Sequence, residues 1–193
     1  WMHFLPNFFI FLDQYNSDIF KNKNKNIGII YRNYNEQNRE SELIKIAEKC
    51  KKKRYQLYIS NDVKLALKYK ANGIYIPSFN KTKYFLNLEK KNITILGSAH
   101  NQKEISKKIS QKCKIIFLSP IFPIEKSKKF LGLHKFNYLA FKNNVRFYAL
   151  GGISSKNILK LKLLDIGGFG GIRIFKKKTG LLKAGFHKEL NSF

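Results

Sequence analysis

Apolar positions along this chain gather into short runs set apart by polar stretches. The runs at residues 8–12, 27–32, 56–60, 73–77, 94–99 and 115–119 read as strands, and their continuous rather than alternating character predicts burial on both faces, hence a parallel sheet. Two further strands, 147–153 and 167–174, carry the glycine pairs Gly151-Gly152, Gly167-Gly168 and Gly170-Gly171.

Between the strands the apolar spacing turns helical. Ser41 is the expected cap of a helix with Leu43, Ile44, Ile46, Ala47 and Cys50 on one stripe, ending at Lys51 to Arg54, where the helix dipole favours cations. Asn61-Asp62 is placed to cap a helix burying Val63, Leu65, Ala66 and Leu67, and Asn101 begins another through Ile105 and Ile109. Further helices are expected at 135–142 and 155–164, with a weak one at 82–90 and one helical turn within 17–25. Strand and helix alternate at roughly 20 to 25 residues throughout, the pattern of an α/β fold. Eight strands predict a closed (β/α)8 TIM barrel rather than an open sheet, and no Gly-x-Gly-x-x-Gly follows the first strand to suggest a dinucleotide fold. One domain is expected over 1–193, with a basic tail from 176.

The seventh strand runs through its glycine pair into an expected helix start at Ser154. Bare backbone N–H groups and a helix N-terminus attract anions, and the loops after the last two strands of such a barrel form its phosphate-binding corner. The alternative is a pair of glycine-rich turns without a ligand, and spacing alone does not separate the two.

Composition changes this picture little. The chain carries 38 Lys+Arg against 12 Asp+Glu, a formal charge of +26. The lysines are scattered, and the arginines are Arg32, Arg39, Arg54, Arg146 and Arg173. A nucleic-acid binder gathers basic and aromatic residues on one face, so a small anionic ligand is the better expectation. Cys50 and Cys113 have no metal spacing and read as idle thiols in a reducing cytoplasm. No apolar run approaches the ~20 residues of a membrane span. The apolar start is broken by Pro6 and Asn7 and lacks a basic leader, so no signal peptide is expected and the chain is placed in the cytoplasm.

Five segments in barrel order carry a resemblance: Ser60-Asn61-Asp62-Val63-Lys64-Leu65-Ala66-Leu67, Ala71-Asn72-Gly73-Ile74-Tyr75-Ile76, Gly97-Ser98-Ala99-His100, Ser119-Pro120-Ile121-Phe122-Pro123 and Ala149-Leu150-Gly151-Gly152-Ile153. Over about residues 9–175 the chain resembles the thiamine phosphate synthase family and its relative, the thiazole tautomerase. The resemblance implies a transferase of thiamine biosynthesis that joins hydroxymethylpyrimidine pyrophosphate to thiazole phosphate by dissociative displacement. The protein of such a reaction neutralises the departing pyrophosphate and holds the thiazole nitrogen in line, usually with Mg²⁺.

Carried over by position, the resemblance makes Arg32 and Ser98 pyrophosphate contacts, with Lys126 or Lys128 closing over the leaving group. Gly151 and Gly152, with Ile174 and Phe175 after the eighth strand, would cradle the thiazole phosphate. Ser60 and Asn61 stand at the family's Asn-Asp pair in an ungapped alignment. A one-residue slip puts Asn61 and Asp62 there instead, making Asp62 either a metal ligand or a plain helix cap. Asn80 takes the place of the second metal carboxylate. Amides at 61 and 80 weaken the case for Mg²⁺, which prefers carboxylate and phosphate oxygens. His100 fits the pattern but is read as a capping or packed residue. The tautomerase ranks lower because Pro120 stands where that relative has a histidine, and a barrel that only binds a phosphorylated ligand or RNA is the other alternative. The oligomeric state is left open.

Overall fold

The computed structural model describes residues 5–21, 26–34, 37–82, 88, 92–125 and 129–172. Eight strands, β1 (Phe8–Leu12), β2 (Ile27–Tyr31), β3 (Gln56–Ser60), β4 (Gly73–Ile76), β5 (Thr94–Ala99), β6 (Ile115–Leu118), β7 (Arg146–Leu150) and β8 (Phe169–Gly171), pair in sequence order into a closed barrel. All pairings are parallel, and β8 closes on β1 with Phe8 opposite Phe169. The expected TIM barrel is what the chain forms.

The continuous apolar strands divide their side chains between two cores. One face, including Ile10, Ile29, Ile59, Ile74, Ile95 and Ile116, packs against the outer helices. The other fills the barrel with Phe9, Phe11, Ile30, Tyr58, Tyr75, Leu96, Ile115, Phe117 and Tyr148. The interior rings meet edge to face: Phe117 lies 5.2 Å from Phe9, 5.5 Å from Phe11 and 5.6 Å from Tyr148 between centroids, the arrangement favoured by ring quadrupoles. A Cβ on Gly170 would come within 2.9 Å of Phe11, so the bare eighth strand makes room for these rings. The phenols of Tyr58 and Tyr148 reach Gln56 Oε1 at 2.6 Å and the Pro6 carbonyl at 2.9 Å, so these buried hydroxyls are satisfied. The barrel is a packed solid, and its chemistry is left to the rim.

The helices are α1 (Arg39–Lys53), α2 (Val63–Lys68), α3 (Gln102–Ser110) and α4 (Gly132–Phe141). Asp62 and Asn101 cap α2 and α3 as expected, accepting from Leu65 N and Glu104 N. Glu104 in turn accepts from the His100 N–H, one residue before the cap, at 2.8 Å. Other boundaries differ. α1 starts before Ser41, whose hydroxyl donates to the Asn38 carbonyl within the first turn. α4 starts at Gly132 rather than at 135. The helix expected at 155–164 is a 3-10 segment, Ile158–Leu163, because Asn157 folds back on Gly152 O and Ser154 N at 2.8 Å each and holds 154–157 in a turn. The turn of helix within 17–25 is a 3-10 turn, Ile19–Lys21. The expected helix at 82–90 falls almost wholly outside the described residues. Among the described residues, no helix is long and apolar enough to cross a membrane.

Candidate active site

The site sits at the carboxyl ends of the strands, where barrel loops carry chemistry. A pocket of about 650 Å³ is lined there by Arg32, Gly151, Gly152, His100, Ser119 and Ile172, among others. A hollow of about 640 Å³ at the opposite end, around Arg146 and Asp165, has no sequence-predicted site residue.

Arg32 follows β2 directly, and its N–H continues the ladder to Leu12 O at 2.7 Å. Leu12 pairs with Tyr31 in the parallel register, so Asp13 stands beside Arg32. The guanidinium makes a two-point contact, Nε to Asp13 Oδ1 at 3.1 Å and Nη2 to Oδ2 at 3.3 Å, and lies 5.7 Å over the Phe11 ring. Burial opposes the charge, but the Asp13 bond and charge outweigh it and the pKa rises, so the cation is permanent. Sequence reasoning missed Asp13, although both residues lie one step beyond neighbouring strands.

The glycine corner has its own geometry. Gly151 and Gly152 have φ of +89° and +72°, in the left-handed region. A Cβ on Gly152 would lie 2.5 Å from Phe122 O and 2.6 Å from Pro123 O, because the loop after β6 is pinned onto this one by Ile121 N to Leu150 O and Phe122 N to Gly151 O. The pair thus has a packing reason alongside any ligand. With the helix start replaced by a turn, no helix dipole reinforces the corner. The main-chain loop itself is what remains for an anion.

His100, expected only to cap or pack, lines the same pocket. Its Nδ1 lies 2.6 Å from the Ser119 carbonyl, which assigns the proton there, and Nε2 faces Ser78 Oγ at 3.1 Å. Ser98 points inside the barrel, 5 % exposed and bonded to the Tyr75 hydroxyl, below the rim rather than among the pocket residues.

Ser60, Asn61, Asp62 and Asn80 gather at a separate corner between the ends of β3 and β4. Ser60 is buried, its hydroxyl 2.8 Å from Tyr34 Oη and its carbonyl accepting from Arg39 Nη2 at 2.6 Å. The Tyr34 ring meets Phe79 edge to face at 6.2 Å. Asn80 Nδ2 donates to Asn61 Oδ1 at 2.8 Å, and Asn80 Oδ1 accepts from Thr82 N at 2.9 Å. Asp62 caps α2 with one oxygen and lies 3.5 Å from Arg39 Nη1 with the other. Tested against a Mg²⁺ ion, this donor set does not fit: its amide oxygens already accept N–H groups, and its carboxylate faces an arginine. Among the described residues, no group of three or more His, Cys, Asp and Glu is placed to hold a metal. Lys126, Lys128, Ile174 and Phe175 lie outside the described residues.

The family model described as thiamine monophosphate synthase matches residues 21–174. Thiamine-phosphate synthases of Prochlorococcus marinus are similar: that of subsp. pastoris (strain CCMP1986 / NIES-2087 / MED4) is 31 % identical over 135 residues and that of strain AS9601 34 % over 136. Each alignment covers 66 % of this chain, which spans only 37 % of the length of either relative. Among solved structures, a thiamine phosphate pyrophosphorylase from Pyrococcus furiosus superposes with a TM-score of 0.78 over 97 % of this chain and 96 % of that one, at 15 % identity. A native KDPGal structure gives 0.71 over 100 % and 97 %, at 13 % identity. Likeness at such identities is likeness of fold.

Proposed function

The chain belongs to the thiamine monophosphate synthase family, and from that premise we propose that it joins hydroxymethylpyrimidine pyrophosphate to thiazole phosphate, releasing pyrophosphate and leaving thiamine phosphate. The C–O bond between the pyrimidine methylene and the pyrophosphate breaks, and its electron pair leaves with the pyrophosphate. The thiazole nitrogen then supplies the pair for the new C–N bond. Little covalent work falls to the protein, which has to place charge and hold two ligands in line.

One observation carries the reading: Arg32 and the Gly151-Gly152 loop line the same pocket. Arg32 supplies a fixed positive charge for the leaving group, and the glycine loop a main-chain cradle for the thiazole phosphate. Lys126 or Lys128 would add charge over the pyrophosphate, Ser98 a hydroxyl below it, and Ile174 and Phe175 would complete the cradle. His100 has no proton to move in this displacement and serves to shape the pocket wall. No step needs a metal held by the protein, and Mg²⁺ would enter only as the counter-ion of pyrophosphate. The partners are then small phosphorylated molecules rather than nucleic acid or membrane, and the setting is the cytoplasm.

The test is to incubate the protein with both substrates, with and without Mg²⁺, and follow thiamine phosphate and pyrophosphate. Formation of both in equal amounts supports the reading. Absence of product with retained binding of thiazole phosphate would replace the transferase with a barrel that only binds its ligand.

A further inference from the structure

The corner between β3 and β4 is closed from both sides. On the rim, the Thr82 N–H fixes the orientation of the Asn80 amide, so Nδ2 must face Asn61 Oδ1. Asn61 meets it from a left-handed backbone, φ 56°, a conformation asparagine tolerates better than most residues. Behind the rim stands Lys108 of α3, with no solvent exposure. Its Nζ donates to Pro77 O at 2.7 Å, Asn80 O at 2.8 Å and Gln111 Oε1 at 2.9 Å, one oxygen for each N–H of an ammonium. Gln111, also buried, donates onward to Asn80 O at 3.2 Å and Thr82 O at 2.6 Å. No carboxylate among the described residues forms an ion pair with Lys108.

An ammonium buried without a counter-ion is costly, so it persists where its hydrogen bonds do something else. Here they hold the Pro77 and Asn80 carbonyls, with Gln111 adding that of Thr82, along the segment 77–82 that carries Asn80 to the rim. We infer that this corner is a latch without a metal: the buried Lys108 ammonium orders the β4 loop from within, and the Asn61–Asn80 amide pair closes it where a divalent cation would otherwise sit. Lys108 is a positioning residue, acting through Asn80 and touching no substrate. A hard cation would have to displace the Asn80 N–H donor from Asn61 and the Thr82 N–H from Asn80, for two neutral amide oxygens beside a carboxylate, Asp62, already committed to the α2 cap and Arg39. Ligand binding therefore does not recruit a divalent ion held at this corner.

Mn²⁺ is the probe, read by water-proton relaxation, with and without inorganic pyrophosphate. The wild-type protein is expected to show no saturable Mn²⁺ site of its own and no ternary signal that depends on residues 61 and 80. Asn61→Asp with Asn80→Asp should create one, tightening Mn²⁺ binding at least tenfold. Lys108→Met replaces the cation by an apolar chain of similar length. It should speed amide hydrogen exchange across 77–82 tenfold or more and leave β5 unchanged. The latch is overturned by saturable Mn²⁺ binding to the wild type that is lost in Asn61→Ala with Asn80→Ala, by no gain of Mn²⁺ affinity in the double Asp variant, or by unchanged exchange in Lys108→Met. Should Lys108→Met not fold, the paired Asp substitutions still decide. The latch and the transferase reading fail separately: missing thiamine phosphate sinks only the latter, and Mn²⁺ bound at the wild-type corner sinks only the former.

Discussion

Asp13 holds Arg32 at two points, 3.1 Å and 3.3 Å, where β1 and β2 end in step. The carboxylate is largely exposed, 57 %, and the guanidinium less so, 32 %. Asp13 therefore aims the arginine rather than burying it, and under the proposed function an incoming pyrophosphate would compete with a partner that water can readily take back.

Removing the guanidinium removes charge-assisted hydrogen bonds of about 1.5–3 kcal/mol, so Arg32→Ala is expected to lower kcat/KM for thiamine phosphate formation by about 10- to 100-fold. Asp13→Asn keeps the cation and loosens only its aim, so its loss should be smaller. Steady-state kinetics of both variants check the order, and an Asp13→Asn loss exceeding that of Arg32→Ala would assign the chemistry to the aspartate.

The glycine corner can be probed with an internal control. Gly132 also has positive φ, +69°, but a Cβ there meets nothing nearer than Phe130 at 3.7 Å. Gly132→Ala should cost only backbone strain, about 1 kcal/mol. Gly152→Ala adds the clash with Phe122 O and Pro123 O. It should lower the melting temperature further and weaken binding of thiazole phosphate, both measurable by thermal shift with and without that ligand.

Burial pushes the Cys50 and Cys113 thiols up to about 12 from 9.0. Neither should react with a thiol reagent at pH 8 until the chain is denatured. The phenols of Tyr55, Tyr75 and Tyr148 are also pushed up by burial, to about 12 from 10.0. Groups with raised folded values favour folding below their unfolded pKa and lose that contribution as pH climbs through the folded one. Stability should thus decline from about pH 9 towards 12. Lys108, which burial lowers from 10.5 to about 8, works in the opposite sense over part of that window, but it is one group against five. Urea unfolding at pH 7, 9 and 10.5 reads the sign, and a flat profile would contradict it.

Phe117 touches Phe9, Phe11, Tyr75 and Tyr148 at the centre of the barrel. Phe117→Ala should cost about 3–5 kcal/mol in urea unfolding. Phe141, at 95 % exposure, is its contrast, and Phe141→Ala should stay within about 0.5 kcal/mol of the parent.

Much of the architecture is legible in the sequence. Five-residue runs such as Phe8–Leu12 and Gln56–Ser60 lie where their apolar pattern put them, because a strand buried on both faces leaves a local signature. The caps Asp62 and Asn101 were equally local. Failures came where a side chain answered to a partner that the apolar pattern does not register. The expected helix after Ser154 gave way to a turn once Asn157 found Gly152 O. On α3 the pattern invites Ile109 inward, yet Ile109 is 39 % exposed while Lys108 is wholly buried, drawn in by carbonyls about thirty residues earlier in the chain.

Of the candidate site, neighbours in sequence could place Arg32 and the glycine pair at strand ends and no more. That Arg32 shares a pocket with Gly151 follows from closing the barrel, which brings the ends of β2 and β7 to one rim. Likewise, Asn61 and Asn80 are two amides nineteen residues apart until β3 and β4 pair and their side chains meet. Periodicity and capping act over a few residues and can be read along the chain. The pairing of charges, amides and loops depends on strand register and closure, and so belongs to the folded barrel alone.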